Sequence, residues 1–164
     1  MDICTTLTTE LASEAFRNLL LMSGVLTAIV SVIKVQSTAK KKQTADLLFG
    51  CRMDDQLRLG TQHVVAMHDP HGSIKDLLQP EKENSEAAVA VKYVLNHWER
   101  VCVGINEGIY HEEMLRQANR TNVVDLYQKS KPFIDAVRHK TGKNTFYKDF
   151  EKLALKWKDK PLKG

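Results

Sequence analysis

Between Leu19 and Ile33 the chain reads LLLMSGVLTAIVSVI, with no charge and a single helix breaker, Gly24. Fifteen helical residues cover about 22 Å, whereas a bilayer's hydrocarbon core of roughly 30 Å asks for about 20 residues. Ala15, Phe16 and Asn18 before the run, the snorkelling stems of Arg17 and Lys34, and Val35 after it extend residues 15–35 to the lower edge of a membrane span. A soluble core helix of this length would show a polar face, and here only Ser23, Thr27 and Ser31 are polar. A cleaved signal peptide would carry a basic leader and a small-residue cleavage site, and neither is present. The pattern therefore predicts a membrane helix marked by Leu19, Gly24, Ala28 and Ile33. If it lies instead in a soluble core, the chain becomes a plain helical bundle.

After this run the periodicity is helical throughout. Gln43–His68 places Leu47, Leu48 and Cys51 on one face and Leu57, Thr61, Val64 and Val65 on another. It reads as one helix weakened by Gly50 and Gly60. Ser85 is a natural cap for the strongest helix, in which Val91, Val94, Leu95, Trp98, Cys102 and Ile105 fall on one stripe. A short helix is expected over residues 109–118. Val123, Leu126 and Tyr127 and then Phe133, Ile134 and Val137 mark two further patterns that meet at Pro132, a first-turn residue or a kink, before a stop at Gly142. Phe146, Phe150, Leu153 and Trp157 mark a last helix from about Thr145. No stretch alternates like a strand. The expected fold is all-α, a single N-terminal transmembrane helix followed by a small helical bundle. Its parts are a lead (1–14), the span (15–35), a basic juxtamembrane segment and helix (36–69), a linker (70–84), the helical domain (85–160) and a tail (161–164).

Charge sets an orientation. With 27% charged residues and a mean hydropathy of −0.33, the chain is mostly water-compatible. Its blocks alternate in sign: net −2 over residues 1–33, +4 over 34–42, −5 over 43–128 and +7 over 129–164. Lys40, Lys41 and Lys42 directly follow the span, and such lysines favour the cytoplasmic side. They can also face an anionic leaflet, at about 1 kcal/mol for each cation near the surface. The basic tail is interleaved with acids and lacks a nucleic-acid-binding motif. Expected partners are therefore membrane lipid, an unknown protein and a second copy. The copy would approach along the small stripe of Ser23, Thr27 and Ser31 beside Gly24 and Ala28.

Candidate chemistry is sparse. Cys4, Cys51 and Cys102 are far apart, which argues against a disulfide framework or a cysteine metal site. His63, His68, Asp69 and His71 gather near a Pro-Gly turn, but His63 and His68 are not at the i, i+4 spacing of helical ligands, so no metal and no cofactor is expected. Asn119-Arg120-Thr121 matches a glycosylation triplet that a cytoplasmic domain would not use. Asn96, Glu99, Glu113 and Arg138 form the candidate polar cluster. Its structural version is a Glu99–Arg138 pair, and its catalytic version is acid–base work by the carboxylates beside the arginine. No hydrolase, P-loop or dinucleotide-binding motif accompanies it.

The stretch LNHWERVCVGINEGIYHEEML, followed by KPFIDAVRHKTGKNTFYKDFEKLALKW, resembles a family of short bacterial and prophage proteins known as a domain of unknown function with an N-terminal membrane helix. The resemblance rests on Leu95, Asn96, Glu99, Gly104, Gly108 and Glu113, then Arg138, Tyr147, Phe150 and Trp157. His111 stands where that family more often carries an aspartate. It implies a single-pass protein of the bacterial inner membrane with its C-terminal domain in the cytoplasm. The anchor, the orientation and the absence of catalytic motifs favour a non-catalytic interaction role, and the prophage setting implied by the resemblance points to phage exclusion or defence. A membrane-bound enzyme built on Glu99 and Arg138 is the alternative.

Overall fold

The computed structural model describes residues 3–68 and 73–160, with side chains from Glu14 onward apart from Ala15. The described residues are all-α, with no strand among them. Five α-helices follow one another: α1 (Ile3–Met53), α2 (Asp55–Ala66), α3 (Glu86–Asn106), α4 (Glu112–Thr141) and α5 (Lys148–Asp159). A 3₁₀ segment, Ser73–Leu78, precedes α3. The chain divides into two units, residues 1–39 and residues 40–164.

In the first unit the apolar run is helical and none of it is buried. Its best 18-residue window has a mean hydropathy of 1.9. One helix is therefore long and apolar enough to cross a membrane. The side chains of Leu19, Leu20, Leu21, Met22, Val25, Leu26, Ile29, Val30 and Ile33 are all at least half exposed. Among the described residues, none of the run belongs to the buried core.

The second unit is built around α3. Its buried stripe is Ala88, Val91, Val94, Leu95, Val101 and Cys102, while Trp98 and Ile105 pack against the core from its margin. Ser85 caps this helix by accepting from the Ala88 N–H, as its position before the run predicts. The largest fully buried side chains are Trp157, Phe133 and Phe150. Each contributes about 1.5–3 kcal/mol of hydrophobic stabilisation. Helices α2 and α3 approach closely at Gly60. A Cβ there would meet the Val94 side chain at 2.9 Å and lie closer still to the Ala90 carbonyl.

Several boundaries differ from those the sequence suggests. The helix expected over Gln43–His68 is broken at Asp54, which leaves helical geometry and accepts from the Leu57 N–H at 3.1 Å to cap α2. Residues 109–111 are not helical. Ile109 and Tyr110 N–H both bond the Gly104 carbonyl, and His111 caps α4 through Nδ1, which accepts from Met114 N–H. Tyr110 lies against Gly104, where a Cβ would collide with its ring. Pro132 neither starts a helix nor divides one, since α4 runs through it to Thr141. A proline removes one backbone bond, and burial of the adjacent Phe133 and Ile134 outweighs that loss. Gly142 ends α4 in the left-handed conformation, φ 67°. Helix α5 starts later than expected, after Tyr147, whose own φ is 55°.

Candidate functional site

Three of the four predicted polar residues gather at one corner, where the chain turns from α4 into α5. Glu99 extends from α3 and accepts the Phe150 N–H at 2.8 Å and the Asp149 N–H at 3.3 Å. These are free donors of the first turn of α5, so a carboxylate is matched there to the positive end of a helix. Backbone N–H groups thus take the place of the expected Arg138 partner. Arg138, from the last turns of α4, donates to the Phe146 carbonyl at 3.0 Å and pairs with Glu151 at 2.8 Å. The expected Glu99–Arg138 pair is not the one that forms. Asn96 lines a small cavity with Lys92, Lys140 and Tyr147 beside the same corner. Glu113 stands apart, bonded to Arg116 at 2.6 Å.

This corner has a definite electrostatic order. Tyr127 donates to Glu151 at 2.5 Å, so one carboxylate receives both a phenol and a guanidinium. Burial alone would raise the Glu151 pKa, but the Tyr127 and Arg138 bonds outweigh it and hold the carboxyl below its ordinary value. Burial, with the Glu151 bond, pushes the Tyr127 phenol up. Tyr147 is raised to about 12 by burial and by the Glu99 charge. Asn96, Glu99 and Arg138 thus all lie beside the start of α5.

The other end of α5 is held by residues the sequence pattern did not single out. Arg120 donates to the carbonyls of Trp157 at 2.7 Å and Lys158 at 2.8 Å, and Arg116 reaches Lys160 at 2.9 Å. Glu112 accepts from the Trp157 indole at 3.1 Å and from Lys156 at 2.7 Å. The only local signal was the Arg116–Arg120 spacing of one helical turn; their acceptors lie some forty residues away. A second unforeseen contact places Cys51 Sγ 3.4 Å from His97 Nε2. Burial, with Asp54 nearby, raises the Cys51 thiol, and burial, with Arg100 nearby, lowers the His97 imidazole. Both are therefore neutral near pH 7, which is the wrong state for a nucleophilic thiolate.

The remaining predicted positions belong to the membrane reading. Leu19, Gly24, Ala28 and Ile33 are exposed on α1, and nothing approaches within 4 Å of a Cβ placed at Gly24. The hydroxyls of Ser23, Thr27 and Ser31 donate at 2.8 Å to the carbonyls of Leu20, Ser23 and Thr27. Lys40, Lys41 and Lys42 are exposed. No group of three or more His, Cys, Asp or Glu side chains that could hold a metal occurs among the described residues. The turn at Asp69, Pro70, His71 and Gly72 lies outside them.

No match was found among curated proteins or among solved structures. A family model, the domain of unknown function DUF4760, matches residues 18–157, taking in the apolar part of α1 and nearly all of the bundle. With most of its length covered, the chain belongs to the DUF4760 family.

Proposed function

We propose that this is a membrane-tethered interaction protein. Residues 15–35 cross the bacterial inner membrane once, and the helical domain works from the cytoplasmic face. The observation that carries the reading is the exposed apolar surface of α1 from Leu19 to Ile33, broken only by the small stripe of Ser23, Gly24, Thr27, Ala28 and Ser31. In water so large an apolar surface calls for a cover, and lipid provides one without a partner. The self-bonded hydroxyls of Ser23, Thr27 and Ser31 leave no polar side chain in the run unsatisfied in hydrocarbon. The lysines after the run favour the stated orientation.

The bundle's polar residues support a binding role better than a catalytic one. Glu99, Glu151 and Arg138 are each engaged at the α4–α5 corner, and Glu113 is paired with Arg116 within α4. In the prophage setting implied by the resemblance, the role to test is exclusion of a second phage, read as plating efficiency with and without the gene.

Fractionation tests the anchor directly. Tagged full-length protein should stay in the pellet after a carbonate wash, and its C-terminal tag should resist protease added to spheroplasts. Recovery in the supernatant would overturn the anchor, and digestion of the tag would reverse the orientation.

A further inference from the structure

A cleft of about 510 Å³ opens where the last turn of α1 and helices α2, α3 and α4 meet. Its volume is within the range of small-molecule sites. It lies wholly within the second unit.

Several polar groups of the lining are open to a ligand. Arg52, Gln62, Asn119 and Asn122 border the cleft, and none makes a side-chain hydrogen bond or ion pair among the described residues. Arg58 also borders it, and its bond to Asp55 at 3.0 Å is an exposed pair of the kind worth little. The one acid in the lining, Asp125, is neutralised by Lys129 at 2.7 Å. Two guanidiniums at the α1–α2 junction therefore offer an anion site. Trp98 and the aliphatic side chains of Leu57 and Val94 give the same cleft an apolar wall.

These groups divide the labour of one ligand class. Guanidiniums recognise phosphate by paired, charge-assisted hydrogen bonds. Carboxamides carry a donor and an acceptor side by side and so match the mixed edge of a heterocyclic base. An indole offers a face or edge on which a base stacks. We propose that the cleft binds a nucleoside monophosphate, with the phosphate at Arg52 and Arg58, the base beside Trp98, and base or sugar polar groups at Gln62, Asn119 and Asn122.

Trp98 makes the test optical. Trp157, the second tryptophan, is fully buried, so quenching by a ligand in the cleft reports on Trp98. Full-length protein in detergent micelles would be titrated with the monophosphates of adenosine, guanosine, cytidine and uridine, then with adenosine and with inorganic phosphate. At least one nucleotide should quench saturably. Its Kd should rise about tenfold or more in R52A/R58A, the loss of a charge-assisted contact. The corresponding nucleoside should bind correspondingly more weakly, and Trp98→Phe should abolish the quench. No saturable quench with any of the four would overturn the proposal. So would a quench that survives Trp98→Phe, or one indifferent to both arginines.

Discussion

Removing the Glu99 carboxylate uncovers two backbone donors at once, because Asp149 and Phe150 N–H both point to it. Glu99→Ala should lower stability by about 1–2 kcal/mol, the usual cost of a lost helix cap. Glu99→Gln, which keeps one acceptor, should lose less, and urea unfolding of both variants checks the order. The next carboxylate along, Glu151, links stability to pH. Its folded pKa lies below the ordinary carboxylate value, so its contribution is fully present above that value. It is lost as pH falls through the folded pKa. Glu151→Gln should therefore flatten the acid side of the stability curve measured between about pH 5 and pH 3. At this scale the sequence singled out polar residues without showing their partners. Asn96, Glu99 and Arg138 stood out because polar side chains beside an apolar stripe need company. Which company they find depends on where α5 docks, some fifty residues after Glu99.

Helices α2 and α3 can approach as they do because position 60 has no side chain. Gly60→Ala should cost more than the ordinary overpacking loss of about 1–3 kcal/mol, since the added carbon meets backbone at Ala90 as well as Val94. A drop in melting temperature without loss of helical circular dichroism below the transition is the expected result. The far end of α5 depends on Arg120, whose guanidinium satisfies carbonyls left free where that helix stops. Arg120→Ala should destabilise the bundle by about 1.5–3 kcal/mol, the range for hydrogen bonds to a charged group. The helices themselves were legible because α3 and α5 carry clear apolar stripes. The breaks were less so. Asp54 interrupts a continuous apolar pattern by capping α2, whereas Pro132 fails to interrupt α4, and in both cases tertiary packing decides between two locally reasonable outcomes.

At the scale of the molecule, the division at Ala39 predicts that residues 40–164 fold without the apolar run. That fragment should be recovered in the soluble fraction with a cooperative thermal transition, while the full chain should need detergent. Inclusion bodies from the fragment would show that the first unit supplies part of the core. Within the fragment, one buried hydroxyl joins the end of α1 to the start of α4. Thr44 Oγ1 donates to the Lys40 carbonyl at 2.8 Å and accepts the His111 N–H at 2.8 Å, and the threonine has no exposed surface. Thr44→Val would leave that amide buried without an acceptor, at a cost of about 1–3 kcal/mol. The intact contact also makes a natural clock. The His111 amide can trade its proton for deuterium only when this stretch of α1 lifts from α4, so its exchange rate times that opening. A protein pulled on by a membrane or a partner would register the pull at a single backbone proton.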